Sequence, residues 1–446
     1  MKKILNLFFV LCFTMLAANA ASINGALKDS DINNSAISIS VKDVNTGKTV
    51  YELNSKKPMN PASTLKVITV ASSLNELGYD YEFTTELFKN TDNELILKLG
   101  ADPFLTSKAL KTLFKTAKSK NIITPKAIKI DDSILDKTEW GEGWQWDDDL
   151  NPLMPKFSAY NIDRNLLTVA VAPTVVGAPA EIKLSEFYPT TFMNLVTTGN
   201  YSNVKLSRNN SVAPDMLKLE GIVSKQVEIE FPVNYPKRYF ILRLEEAIRA
   251  AKIDYYGSIP TTIMQTENIY SVDKITTPID NAIKAILHNS NNMVAETVFK
   301  LAGGKFSNKT GSAEDGIEAL LDYCKKRGVN TEDIRVVDGS GVSKNNLVTS
   351  DFMTEFLLSL YKNSPEYKDC LASAGEGTLK NRMLYMGDNL KAKTGTLSNI
   401  SAITGYITTR SGKLYAFNIM INDAKSKSSD KKMLEEYILR AIHSSY

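Results

Sequence analysis

The sequence predicts an α/β multidomain protein in which both ends of the chain build one sheet around a long insertion. Three observations carry that prediction. Residues 36–41 alternate as a strand does, Asn45-Thr46-Gly47 turns, and residues 49–53 return as the second arm of a hairpin. Near the other end, residues 400–409 and 414–421 flank Arg410-Ser411-Gly412-Lys413 as a second hairpin, and a helical run follows at 431–442. The long stretch between them has a different texture, with short strand-like runs separated by turn residues.

The first hairpin leads into a helix. Pro61 suits a first helical turn, Leu65, Val67, Ile68, Ala71, Leu74 and Leu77 recur at helical spacing, and Gly78 stops the run. Within the insertion, residues 95–99, 127–130, 168–172 and 182–184 read as strands, and 110–118 and 242–251 as helices. The polar segment 200–211 reads as an exposed loop, and Gly303-Gly304-Lys305-Phe306-Ser307-Asn308 as a turn-rich link ahead of a helix at 317–327. The expected division is a leader at 1–20, a discontinuous outer domain at 21–84 and 265–446, an inserted domain at 85–172 and 232–264, and a nested, mostly β domain at 173–231.

At 446 residues and 43% hydrophobic, the chain has material for several cores. Met1-Lys2-Lys3, the apolar run after it and Ala18-Asn19-Ala20 have the three zones of a secretory signal, with cleavage expected after Ala20. Cys12 follows Leu11 rather than a small residue, which argues against a lipid anchor, and no later segment has the roughly 20 apolar residues of a membrane span. Losing Lys2 and Lys3 from 53 basic residues against 50 acidic ones leaves a net charge of +1, so nucleic-acid binding has no electrostatic support. Cys324 and Cys370 can bridge in an oxidising compartment only if they meet, which their spacing leaves open. With two distant cysteines and only His288 and His443, no metal site is expected, and a serine-histidine-aspartate triad is poorly supplied.

Three motifs supply other chemistry: Ser63-Thr64-Leu65-Lys66, Ser290-Asn291-Asn292 and Lys393-Thr394-Gly395. Each is cheap by itself. Ser-x-x-Lys recurs at Ser202, Ser271, Ser428 and Ser429, Ser-x-Asn at Ser73, Ser207 and Ser343, and a second Lys-Thr-Gly stands at Lys309-Thr310-Gly311. Context separates them, because Ser63 opens a helix that puts Lys66 one turn away, and Lys393 leads into a hairpin strand, whereas Lys309 sits in a turn-rich link.

The assembled motifs resemble those of the class C low-molecular-mass penicillin-binding proteins, the D-alanyl-D-alanine carboxypeptidases and endopeptidases of peptidase family S13. The resemblance spans nearly the whole chain after the leader and includes Ile130-Asp131-Asp132-Ser133, Gly143-Trp144-Gln145-Trp146-Asp147-Asp148, Asp338-Gly339-Ser340-Gly341 before Asn346-Leu347-Val348, and Gly377-Thr378-Leu379-Lys380-Asn381-Arg382. It implies a discontinuous penicillin-binding transpeptidase or β-lactamase-like domain, an antiparallel sheet with helices on both sides, carrying an inserted second domain and a third, mostly β one.

The roles follow from chemistry and from that resemblance together. Ser63 is the expected nucleophile and Lys66 its base, and holding a lysine neutral at pH 7 costs roughly 4 kcal/mol, which burial and a second cation at Lys393 help to supply. Ser290 is expected to relay the proton and Asn292 to donate to the substrate amide. Lys393, Thr394 and Thr396 are expected to bind the terminal carboxylate, Gly395 to keep the strand edge open, and the N–H groups of Ser63 and Thr396 to form the oxyanion hole. Asp338 is expected to shape a turn in the wall of the site, and Asp131 and Asp132 to fix a turn in the insertion. Asp148, with Asp147 as its alternative, resembles the acid that meets the free amine of a diaminopimelate side chain. Lys344 stands where the family often has Arg, and Ser398 where some members have Gln, positions that resemble ones holding the carboxylate end of the stem. The expected activity is an exported, periplasmic serine D-Ala-D-Ala carboxypeptidase acting on peptidoglycan stem peptides, with cross-links as further substrates, β-lactams as inhibitors and no cofactor. A serine β-lactamase and a non-catalytic peptidoglycan-binding protein of the same fold are the alternatives.

Overall fold

The computed structural model describes residues 22–208 and 216–445, so the leader expected at 1–20 lies outside the described residues. The chain divides into two compact units. The first comprises the described residues up to Ser72, Ile283–Ser290 and the chain from Leu320 onward, and the second comprises Ser73–Ala282 and Asn291–Ala319.

The first unit is built on an antiparallel sheet in the order Ala372–Ser373, Leu390–Leu397, Ile400–Thr408, Leu414–Asn422, Ile37–Asp43 and Thr49–Leu53. The chain's two ends meet in its middle, where Ile37 lies opposite Ile421. Alternation along Ile37–Asp43 decides which side chains go to which face. Ile37, Ile39 and Val41 join Ile403, Phe417 and Ile419 in a core with Leu434, Ile438 and Ile442 of the closing helix Ser428–Ser445. Ser38 and Ser40 turn the other way and pair with Ser350 and Thr354 of the helix Ser350–Asn363, each at 2.7 Å. A helix therefore covers each face.

The second unit holds a four-stranded sheet, Ile269–Pro278, Glu82–Asn90, Glu94–Lys98 and Ala127–Asp131, and two three-stranded ones. One joins Val227–Pro232, Leu166–Ala172 and Glu181–Leu184, and the other Thr191–Thr198, Met216–Val223 and Lys205–Arg208. Ile269–Pro278 pairs along the whole of Glu82–Asn90. Residues after 265 that the sequence pattern assigns to the outer domain thus begin inside the second unit.

Two local expectations are corrected. A strand, Lys205–Arg208, forms inside the polar segment 200–211, because pairing with Met216–Val223 satisfies its backbone. The glycines at 303 and 304 do not break the chain, since the helix Asn292–Ser307 runs through them. A Cβ at Gly303 would lie 2.3 Å from the backbone nitrogen of Gly316, so the glycine permits close approach to the helix Ala313–Lys326. Among the described residues no helix is long and apolar enough to cross a membrane.

Candidate active site

Ser63 lies on a 3-10 turn, Ala62–Leu65, that passes directly into the α-helix Lys66–Leu77, so Pro61 precedes a tighter turn than an α-helical start. The turn is held from outside. Asn60 Oδ1 accepts from the Ala62 N–H at 2.9 Å, while its amide donates to the carbonyls of Ser343 (3.0 Å) and Asn346 (3.1 Å). Ala62 adopts φ +47°, a left-handed conformation unfavourable for a residue with a Cβ, immediately before the serine. Gly341, at φ +77°, packs so closely there that a Cβ would lie 2.0 Å from the Ala62 oxygen.

Lys66 is fully buried, with Nζ 2.9 Å from Ser63 Oγ and donating to the Ser340 carbonyl at 2.5 Å. That carbonyl is presented by the Asp338-Gly339-Ser340-Gly341 turn. The buried Asp338 carboxylate accepts from the N–H groups of Gly341 (2.8 Å) and Ser343 (2.6 Å) and from the Asn346 amide (2.8 Å). The Gly339 carbonyl accepts from the Thr69 hydroxyl at 2.7 Å, tying the turn to the Lys66 helix.

Lys393 enters from the strand Leu390–Leu397, equally buried, and donates to Ser290 Oγ at 2.9 Å and to the Thr394 carbonyl at 2.7 Å. Burial first, and the charge of Lys66 second, push its pKa well below the ordinary lysine range. Two ammonium groups in one dry site repel, so the pair favours giving up a proton. Ser290 holds φ +59°, a second strained position beside a reacting group.

Only Ala392 and Lys391 of the Leu390–Leu397 strand pair with the short edge strand Ala372–Ser373. From Lys393 onward that edge is without a strand partner among the described residues, leaving backbone groups for an extended peptide. Gly395 brings the strand against the nucleophile, since a Cβ there would lie 2.8 Å from the Ser63 nitrogen and 2.9 Å from the Ala62 Cβ.

The structure thus brings Ser63, Lys66, Ser290, Lys393 and Gly395 together, with Thr394 and Thr396 on the same strand. Asn292 begins the helix Asn292–Ser307 in the second unit, where its amide donates to the Leu153 carbonyl at 2.9 Å. The helix cap is its neighbour Asn291, whose side chain accepts from the Val294 N–H. Asp148 ends a 3-10 turn, Trp146–Asp148, of the second unit and is partly exposed, and Lys344 and Ser398 are exposed in the first. His443 Nδ1 meets the Thr408 carbonyl at 2.9 Å rather than Ser63, and Cys324 and Cys370 are not joined in a disulfide, with burial raising the Cys324 thiol to about 12. Asn60 is a site residue that the sequence motifs do not include. Its signal is the Asn-Pro dipeptide, a turn initiator two residues before Ala62.

The family model for the D-Ala-D-Ala carboxypeptidase 3 (S13) family matches residues 19–440. A D-alanyl-D-alanine carboxypeptidase of an Actinomadura species is 26% identical over 435 residues, covering 90% of this chain and 80% of its own. The crystal structure of penicillin binding protein 4 (dacB) from Haemophilus influenzae superposes with a TM-score of 0.82 at 22% identity, covering 94% of this chain and 98% of that one. A complex of that Haemophilus influenzae protein with a β-lactam gives a TM-score of 0.79 at 21% identity, covering 95% of this chain and 100% of that one.

Proposed function

The chain belongs to the D-Ala-D-Ala carboxypeptidase 3 (S13) family, and from that premise we propose how its own residues carry the reaction. The protein is a serine-type D-Ala-D-Ala carboxypeptidase that acts on peptidoglycan peptides and is acylated by β-lactams. The observation that carries the assignment of roles is the 2.9 Å approach of Lys66 Nζ to Ser63 Oγ with a second buried lysine beside it.

In this reading Ser63 Oγ attacks the carbonyl carbon of the penultimate D-Ala as neutral Lys66 takes its proton. The oxyanion forms against the N–H groups of Ser63 and Thr396. The C–N bond then breaks, Ser290 passes a proton to the departing D-Ala nitrogen, and water later cleaves the Ser63 ester. The contact between Ser290 and Lys393 supports a proton relay at Ser290. Lys393, Thr394 and Thr396 take the terminal carboxylate, whose negative charge offsets the burial and the repulsion from Lys66 that depress Lys393. Asn292 is assigned to the acyl-side amide, and Asp148 and Lys344 to the stem's polar groups. Cross-links that end in the same D-Ala acyl group are further substrates. Export to the periplasm through the leader at 1–20 belongs to the same proposal. So does the nested third domain at 173–231, supported by the two small sheets between Leu166 and Pro232.

Labelling with a fluorescent penicillin tests the assignment. Wild type should carry the label and Ser63→Ala should not, and a folded wild-type protein that stays unlabelled would overturn the enzyme reading.

A further inference from the structure

Thr378 lies outside the three motifs, yet it touches one of them and the segment that leads into another. Its N–H donates to the carbonyl of His288, two residues before Ser290, at 3.0 Å. The Thr394 hydroxyl donates to Thr378 Oγ1 at 2.7 Å. We propose that Thr378 is a positioning residue for carboxylate recognition, its hydroxyl holding and then exchanging a hydrogen bond with Thr394 when the substrate's terminal carboxylate arrives. This rests on the reading that Thr394 binds that carboxylate.

The logic is one of proton supply. A carboxylate only accepts, while each threonine hydroxyl has one proton to give and lone pairs to receive. In the free site the Thr394 proton is committed to Thr378. When Thr394 turns its proton to the carboxylate, its oxygen still needs a donor, and the Thr378 hydroxyl stands at the right distance to reverse direction. Thr394 then remains oriented, and a hydroxyl that receives one hydrogen bond gives a stronger one.

The surroundings hold Thr378 for this. Gly377, at φ +47°, sits so near the His288 carbonyl that a Cβ would lie 2.2 Å from its oxygen, a close approach that requires glycine. Leu379 on the other side is fully buried. Arg382 fixes the far end of the turn to the closing helix, donating to Glu435 at 3.0 Å and Glu436 at 2.8 Å. Glu435 in turn accepts from Ser401, which pairs with Thr396 on the carboxylate-binding strand. Thr378 itself is exposed, so its side chain serves no core.

Thr378→Val keeps the branched shape and the N–H but removes the hydroxyl, and Thr378→Ser restores it. Acylation rates should be measured with a penicillin and with its neutral methyl ester, alongside KM and kcat for a D-Ala-D-Ala peptide. The valine variant should lose about threefold to tenfold with the acid and raise KM more than it lowers kcat, the penalty for one missing neutral hydrogen bond behind the carboxylate contact. With the ester its rate should stay within about twofold of wild type, and the serine variant should recover most of the acid rate. Valine acylated by the acid at the wild-type rate would overturn the proposal, as would equal losses for acid and ester, which would mark Thr378 as scaffold. If the valine variant misfolds, Thr378→Ala compared with Thr378→Ser reads the same quantity. Wild-type protein that neither compound acylates would instead overturn the parent reading and this inference with it.

Discussion

In the first unit Lys393 is fully buried on a sheet strand, Thr394 meets Thr378, and Gly395 packs against the Ser63 nitrogen. In the second unit the same three residue types occur as Lys309-Thr310-Gly311, where Lys309 is exposed at a bend, the Thr310 hydroxyl donates to the Ser133 carbonyl at 3.0 Å, and Gly311 packs against the Lys300 backbone. Residue identity is shared and environment is not. A buried lysine facing another lysine has an altered acidity and gains from an arriving anion, whereas an exposed lysine is a solvated charge.

The largest expected difference between the two lies in rate. Lys393→Met should lower penicillin acylation by roughly 10³, because it removes the carboxylate's cation and one member of the lysine pair. Lys309→Met should leave acylation within about twofold of wild type, as surface charge substitutions do. Stopped-flow acylation kinetics on both variants would break the comparison if the two losses were similar.

The glycines should separate rate from stability. Gly395→Ala puts a methyl 2.8 Å from the Ser63 nitrogen, so acylation should fall roughly tenfold to 10² by displacing the oxyanion donor. Gly311→Ala puts one 2.3 Å from the Lys300 carbonyl oxygen, a clash with backbone that should cost about 1 to 3 kcal/mol of stability. Acylation by the folded Gly311 variant should be close to normal. Thermal melts paired with kinetics would overturn this contrast if Gly311→Ala slowed acylation as much as Gly395→Ala.

The sequence tells these two motifs apart through context, and the reasons show what else it can convey. The hairpins at either end are legible because alternation of Ile and Ser over Ile37–Asp43 reports two differently packed faces. Ser63 and Lys66 are legible because a helical period fixes where residues three apart must point. The strands Thr191–Thr198 and Met216–Val223 escape notice, since they form small, half-exposed sheets whose side chains are little constrained by burial. The helix through Gly303 is misread because glycine weakens a helix locally, and only close packing on Gly316 reveals why it is there. Thr378 and Asn60 act through backbone carbonyls and hydroxyls distant in sequence, and no local pattern records such partners.

The smallest effect concerns stability, and a third lysine sharpens it. Lys300 in the second unit is buried as fully as Lys393, but it pairs with Asp136 and donates to the Thr138 carbonyl at 2.8 Å. Lys393 has no carboxylate partner among the described residues and faces Lys66 instead. Because the folded state depresses the Lys393 pKa, the unfolded chain binds more protons between that lowered value and the ordinary lysine value of ~10.4, so this group makes stability rise with pH across that window. Below the window both states are protonated and the folded site carries the full cost of the buried charge. Lys393→Met should therefore raise the denaturation midpoint at pH 7 and flatten the rise toward pH 10. Lys300→Met strands the Asp136 carboxylate and should lower stability by roughly 1 to 3 kcal/mol, the cost of breaking a largely buried pair. Urea titrations at several pH values compare the signs directly. If Lys393→Met were less stable than wild type at pH 7 and kept the wild-type slope, the site would hold its second lysine without strain, and the electrostatic contrast between the two units would fail.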